Sequence, residues 1–319
     1  MKGKWIMKKY KHTGHRSFRI LLPLVLAAFL LLFGPETVRE HLPNLGKPYD
    51  ISSTDILQVH VLDVGNGLSV LVTSGEEALL YDGGGRDTSS FVVAYLKKQG
   101  IQHLDYCIAS HYDADHLYGI VGALYAFTTG TLIAPDYETD TKTYEAFCRA
   151  VTEKELTVTT PAPGQTYSLG EAVVEILGPA GNGYEDENDY SIVLKISIGE
   201  HSLLLTGDAA SVSEQELLDA GANLNADVLV VGHHGSYSST GKDFFSAVSP
   251  SFAVISCGLG NDYGHPHKRV IQLLESSAVP LYRTDLQGTI RFSMTGSSLS
   301  FEQAPCEDYS RGDETVKIP

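Results

Sequence analysis

The 319-residue chain is 43% hydrophobic and 19% charged, a balance that fills a globular core and excludes a low-complexity or disulfide-framework protein. Its formal charge is −16, unevenly spread: the first 34 residues carry seven of the 23 basic residues and no acid, leaving 16 basic against 39 acidic residues, about −23, on the rest. A body that acidic repels polyphosphate and excludes a tight, nonspecific, salt-driven grip on nucleic acid, so an anionic substrate has to be held locally.

Residues 1–34 join the basic stretch to ILLPLVLAAFLLLF at 20–33, an uncharged run of 14 residues. This predicts a signal-anchor, or a signal peptide if it is cleaved, with an extracytoplasmic body by the positive-inside rule. Residues 35–54 are polar and proline-bearing, as in a linker. The main domain is expected over 55–302. LQVHVLDVG, LSVLVTS and ALLYD read as strands, SFVVAYLKKQ before Gly100 as a helix, and LDYCIAS as a buried strand. A polar loop then leads to a helix from Leu117. In the second half AVVEILGP is a strand, YSIVLKISIGEHSLLLTGD a hairpin about Gly199-Glu200, and a helix falls near 213–220. DVLVVGHH and FAVISC are further strands, and a last helix starts near Lys268. Antiparallel runs alternating with strand–helix units predict two mixed sheets with helices outside. Residues 303–319 are polar and predict a disordered tail, in which Arg311-Gly312-Asp313 is accidental. Cys107, Cys148, Cys257 and Cys306 have no C-x-x-C spacing and read as buried free thiols.

The chemistry concentrates in SHYDADH, residues 110–116, directly after the strand LDYCIAS. His111, Asp113, Asp115 and His116 lie within six residues. An extended loop turns His111 and Asp113 one way while Asp115 and His116 fold back, which serves two cations about 3.5–4 Å apart. LLLTGD ends a second strand in Asp208, and DVLVVGHHGS ends a third in His233 and His234. Each cluster alone is weak; three strand-end clusters in this order are strong.

This constellation resembles the metallo-β-lactamase fold superfamily, with Asp113 at the second His position of its H-x-H-x-D-H loop. More narrowly, LDVGNG, LLYDGGG, SHYDADH, LLLTGD, GHHGS and NDYGHPH are similar to the extracytoplasmic domain of ComEC-type competence (DNA internalisation) proteins, over about 56–301. The single hydrophobic segment leaves no multi-helix pore in these 319 residues. Asn66 and Leu68 stand where that family shows Gln and Asp. The resemblance implies a four-layered αββα sandwich of the α/β class, with two divalent metal ions, zinc or manganese, at a shared sheet edge. It puts His111 and Asp113 on metal one, Asp115, His116 and His233 on metal two, with His234 as the alternative to His233, and Asp208 between them. No His lies near Asn188 to complete metal one, which is therefore expected to be weak. A bridging hydroxide oriented by Asp115 or Asp208 would cleave a phosphodiester substrate of DNA or nucleotide type, single-stranded DNA included. Asp82 resembles the superfamily's buried, ligand-orienting aspartate; otherwise it caps the Gly83–Gly85 bend. His265 is a candidate proton donor to the leaving alkoxide or a phosphate contact, or else a structural loop histidine, and Ser236 and Ser238 are candidate phosphate contacts. The alternatives are a cell-wall phosphodiesterase or phosphorylcholine-esterase-like hydrolase, and a non-catalytic competence-associated binding module.

Overall fold

Apolar runs of the sequence pair into two sheets in the computed structural model, which describes residues 55–313. One sheet contains β1 (Ile56–Val61), β2 (Val70–Ser74), β3 (Glu77–Tyr81), β4 (His103–Ile108), β5 (Thr128–Ile133) and β6 (Val158–Thr159). The other contains β7 (Thr166–Leu169), β8 (Ala172–Gly178), β9 (Val193–Ile198), β10 (His201–Leu205), β11 (Val228–Val230), β12 (Phe252–Ile255) and β13 (Leu281–Arg283). The chain returns to the first sheet with β14 (Ile290–Thr295) and β15 (Leu299–Phe301), giving orders β15-β14-β1-β2-β3-β4-β5-β6 and β13-β12-β11-β10-β9-β8-β7.

Both sheets follow one plan. Pairing is antiparallel from β14 through β3 and from β7 through β10, with tight turns joining β2 to β3, β7 to β8 and β9 to β10. From β3 to β6 and from β10 to β13 the pairing is parallel, and a parallel pair needs a crossover. Helices α1 (Ser89–Lys98), α2 (Ala114–Ala126) and α3 (Lys142–Glu153) supply it in the first sheet, and α4 (Ser211–Asp219), α5 (Lys242–Val248) and α6 (Lys268–Ser276) in the second; the short α7 (Thr284–Gln287) follows β13.

Alternation sorts each strand between two interiors. Leu79 and Tyr81 of β3 face the opposite sheet, while Ala78 and Leu80 meet Val92, Leu96, Leu117 and Ile120 of the covering helices. In β10, Leu203 and Leu205 point between the sheets and Leu204 packs with Leu217 and Phe244. Each such buried Leu contributes roughly 1.5–3 kcal/mol. Burial on both faces explains why these strands read as continuous apolar runs, and the result is the expected αββα sandwich.

The structure departs from the sequence reading in several places. Helix α2 begins at Ala114 with Asp113 at its N-cap, so Asp115 and His116 occupy a helical first turn instead of an extended loop; Asp115 is favourable there beside the helix's positive end. Tyr190 and Ser191, read as the first residues of the hairpin, instead close a 3₁₀ turn at Glu187–Tyr190, capped by Asp186, and the strand starts at Val193. The tail from Gln303, read as disordered, is packed over 303–313: Cys306 pairs with Leu281, the carbonyls of Asp308 and Ser310 accept from the buried Arg283 guanidinium, and the Gly312 N–H donates to the Pro266 carbonyl. Polar composition misleads here because the segment docks through its backbone.

All four cysteines are free, but only Cys107 and Cys257 are buried as read; Cys148, on the outer face of α3, is exposed and Cys306 is half-buried. The segments 1–34 and 35–54 and the end of the chain from 314 lie outside the described residues. Among the described residues no helix is long and apolar enough to cross a membrane.

Candidate metal centre

The parallel halves of both sheets end at one edge, and the sequence clusters sit on those ends. Asp82 follows β3, Ser110 and His111 follow β4, Asp208 follows β10, and His233 and His234 follow β11. Asp82, His233 and His234 all adopt left-handed backbone angles, φ +57°, +49° and +56°. For non-glycine residues this costs of order 1–3 kcal/mol each and concentrates where geometry serves a function. Bare backbone brings the pieces together: a Cβ on Gly119 of α2 would stand 1.7 Å from the Gly83 carbonyl oxygen, and one on Gly67 would stand 2.4 Å from that of Asp115.

Asp82 organises the first histidines. One of its carboxylate oxygens accepts from the Ser110 N–H at 2.7 Å; the other accepts from the Ser110 hydroxyl at 2.7 Å and from His116 Nδ1 at 2.8 Å. Since the Ser110 hydroxyl spends its proton on Asp82, its oxygen must accept from His111 Nδ1, 2.9 Å away. Both rings are thereby oriented with Nε2 towards the interior of the cluster, the role that an outer carboxylate plays around a metal.

Around those Nε2 atoms the remaining groups converge. Asp208 Oδ1 lies 3.2 Å from His116 Nε2, and Asp208 Oδ2 lies 3.5 Å from Nε2 of both His233 and His234. His234 Nε2 stands 3.2 Å from His116 Nε2 and 3.5 Å from Asp115 Oδ2, while its Nδ1 is held 3.0 Å from the Ser256 carbonyl. His233 Nδ1 instead contacts the Ser238 hydroxyl at 3.1 Å. Two donor groups result, His111–His116–Asp208 and Asp115–His116–His234, each with ligand atoms within 4.8 Å of one another. Of the two adjacent histidines, the alternative His234 joins a group and His233 does not. Asp113 also stays outside, with a side chain 45% exposed and Oδ2 3.7 Å from His111 Nε2.

These residues fit a divalent cation. His111 Nε2 and Asp208 Oδ1 are buried without a hydrogen-bond partner, an arrangement that costs free energy unless something is bound. Two buried imidazole nitrogens 3.2 Å apart make the same point. Burial pulls His116 and His234 down, but the facing carboxylates outweigh it: Asp208 and Asp82 raise His116 well above the usual imidazole value, and Asp208 and Asp115 push His234 up to about 9. Burial works in the opposite direction on Asp115 and Asp208, and the same histidines hold both well below the usual carboxylate range. A divalent cation among these groups would balance the carboxylates in place of the protons that they otherwise draw onto the imidazoles.

The NDYGHPH loop closes one side. Asn261 grips the His265 backbone, accepting from its N–H at 3.0 Å and donating to its carbonyl at 2.6 Å. The His265 ring lies 5.5 Å from that of His233 and 6.0 Å from that of His234. Burial and those two histidines, with His267, push it down to about 3, so it is neutral near pH 7. That favours a phosphate contact over a proton donor. His267 takes the N-cap position of α6. Leu68 packs in the inter-sheet core. Sequence reasoning missed Ser110, the Ser256 carbonyl and the Ser191 hydroxyl that accepts from the Asp208 N–H at 3.1 Å; only Ser110, beside His111, gave any signal.

The metallo-beta-lactamase superfamily profile matches residues 62–258. The chain is 30% identical over 276 residues to ComE operon protein 3 of Bacillus subtilis, covering 81% of this chain and 36% of that protein. It is 35% identical over 238 residues to competence protein ComA of Neisseria gonorrhoeae (74% and 32%) and 32% identical over 252 residues to recombination protein 2 of Haemophilus influenzae (77% and 30%). It thus spans about a third of the length of these relatives. Among solved structures, the metallo-beta-lactamase fold protein YhfI of Bacillus subtilis superposes with a TM-score of 0.50 at 15% identity, over 77% of this chain and 99% of that one. Fold, strand-end clusters and sequence likeness agree that the chain belongs to the metallo-beta-lactamase superfamily and is similar to competence proteins.

Proposed function

We propose that the protein is an exported, metal-dependent phosphodiesterase, and the observation that carries this reading is the pair of donor groups sharing His116 at one sheet edge. Asp115, His116, His234 and Asp208 would hold one divalent cation, and His111 and Asp208 the other, with Asp113 near enough to join by a side-chain rotation. Two such ions supply Lewis acidity for activating a water and a positive clamp for the charge of an in-line phosphoryl displacement. Three imidazoles mixed with carboxylates suit zinc, and the carboxylate share admits manganese.

The chain's own residues do the rest. Asp82 keeps His116 and, through Ser110, His111 in the required orientation. Asp208, well below its usual range, supplies fixed negative charge at the centre. The neutral His265 offers a ring N–H to a phosphoryl oxygen, with its Nδ1 buried and unpartnered. Competence and recombination in the names of the relatives support a nucleic-acid phosphodiester over a cell-wall one. Export rests on the basic and apolar segment at 1–34.

Asp208→Asn in the full chain tests the reading. Loss of bound metal together with at least a hundredfold loss of phosphodiester hydrolysis, about 2.7 kcal/mol of transition-state stabilisation, is expected, and a chelator should abolish wild-type activity. Full metal content and a near-normal rate in the variant would overturn it.

A further inference from the structure

The two most exposed large hydrophobic side chains among the described residues, Tyr237 at 70% and Tyr263 at 67%, both stand beside the metal centre. They are joined to it by a run of rings. Tyr237 lies 5.1 Å from His267, His267 lies 4.8 Å from His265, and Tyr263 stacks on His265 at 5.5 Å with planes 17° apart. His265 in turn contacts His233 and His234. Both tyrosines are held: the Tyr237 N–H donates to His267 Nδ1 at 3.0 Å, and the Tyr263 N–H donates to Asn261 Oδ1 at 3.2 Å.

An exposed tyrosine is ordinary; the two most exposed, fixed by their backbones at either end of a ring ladder touching the donor cluster, call for a function. The protein's charge narrows the choice. With a formal charge of −16 the chain cannot hold a polyphosphate by long-range attraction, so affinity beyond the metals has to come from uncharged contacts. Stacking of bases on aromatic rings is such a contact: it is sequence-tolerant and worth roughly 1–3 kcal/mol per base. It also requires bases that are free of a partner strand.

We infer that Tyr237 and Tyr263 form a stacking platform for unpaired nucleobases flanking the phosphate at the metal centre, making the protein selective for single strands. This rests on the phosphodiesterase reading for its purpose, though not for its test. Binding is measured by fluorescence anisotropy with a labelled oligothymidylate, with an abasic chain of the same backbone, and with a duplex of equal length. Tyr237→Ala and Tyr263→Ala should each weaken oligothymidylate binding about 5- to 150-fold, leave the abasic chain unchanged, and preserve metal content and thermal stability. The Phe variants should stay within about twofold of wild type. The duplex should bind no better than the abasic chain. Equal weakening of oligothymidylate and abasic chain, or equally tight, tyrosine-dependent duplex binding, would overturn the platform. If oligothymidylate binds through both tyrosines but no phosphodiester is cleaved, the platform stands and the hydrolase reading falls; cleavage without any tyrosine effect gives the reverse.

Discussion

His116 has one nitrogen to give. Its Nδ1 is committed to Asp82 at 2.8 Å, so Nε2 can serve one cation, and the two donor groups that share it are not equal. Asp115, His234 and Asp208 complete His116 to four donors, whereas His111 is left with Asp208 and a partly exposed Asp113. On the proposed reading the first group would hold its metal tightly and the second weakly. His234→Ala should therefore cost about one metal per chain by elemental analysis, while His233→Ala should retain its metal. The opposite outcome would reassign the pair. Nothing in two adjacent histidines reveals which of them faces inward; the left-handed turn through both residues and the Ser256 carbonyl decide it.

At the scale of elements, the loop that carries His233 to Ser239 is pinned by a side chain from a helix. Glu214 of α4 accepts from the Thr240 N–H and, at 2.8 Å, from the Gly241 N–H, and Arg269 of α6 donates to the carbonyls of Ser239 and Thr240. Burial pushes Glu214 from its usual 4.5 up to about 7, with the two N–H donors only partly offsetting it. The raised value fixes the sign. Below pH 4.5 both folded and unfolded chains hold the proton, and the group's contribution is fully present. Between 4.5 and about 7 only the folded chain holds it, so stability falls as pH rises, by up to about 1.4 kcal/mol per unit. Thermal melts across pH 5–8 should show a shallower decline for Glu214→Gln than for wild type; identical slopes would mean that Glu214 ionises normally. Hydrophobic patterning made β1–β4, β8–β12 and four helices legible, including the β9–β10 hairpin, yet it passed over β5–β7, β13–β15, α3 and α5 and started α2 at Leu117. The first turn of α2 is polar because it carries ligand candidates, and a polar turn reads as loop.

Across the whole molecule, the C-terminal stretch fastens the metal side of the second sheet. Arg283 is fully buried, paired with Asp285 at 2.7 Å, and its remaining hydrogens reach the carbonyls of Asp308 and Ser310. Gly312 lies so close to His265 that a Cβ there would stand 1.9 Å from the His265 carbonyl oxygen. Deleting residues 303–319 leaves Arg283 with unmet donors, at roughly 1.5–3 kcal/mol for hydrogen bonds to a charged group, and should lower Tm by about 5–10 °C. An unchanged Tm would make the segment a passenger.

The sequence by itself determined two mixed sheets with helices outside and the three strand-end clusters, because apolar periodicity is a property of neighbours along the chain and the ends of parallel strands are where polar residues interrupt it; the layered sandwich came from the resemblance those clusters carry. It also marked Asp82 and the NDYGHPH loop. Only the tertiary structure decided which atoms meet: that Asp82 orients two histidines, the second through Ser110, that His234 reaches His116, Asp115 and Asp208 while His233 reaches Asp208, that Asp113 lies half-exposed 3.7 Å from His111 Nε2, and that a polar C-terminal segment is packed. Each of these turns on a backbone angle or a contact between residues far apart in sequence, and no local pattern encodes the distance between Asp208 on one sheet and His116 beside the other.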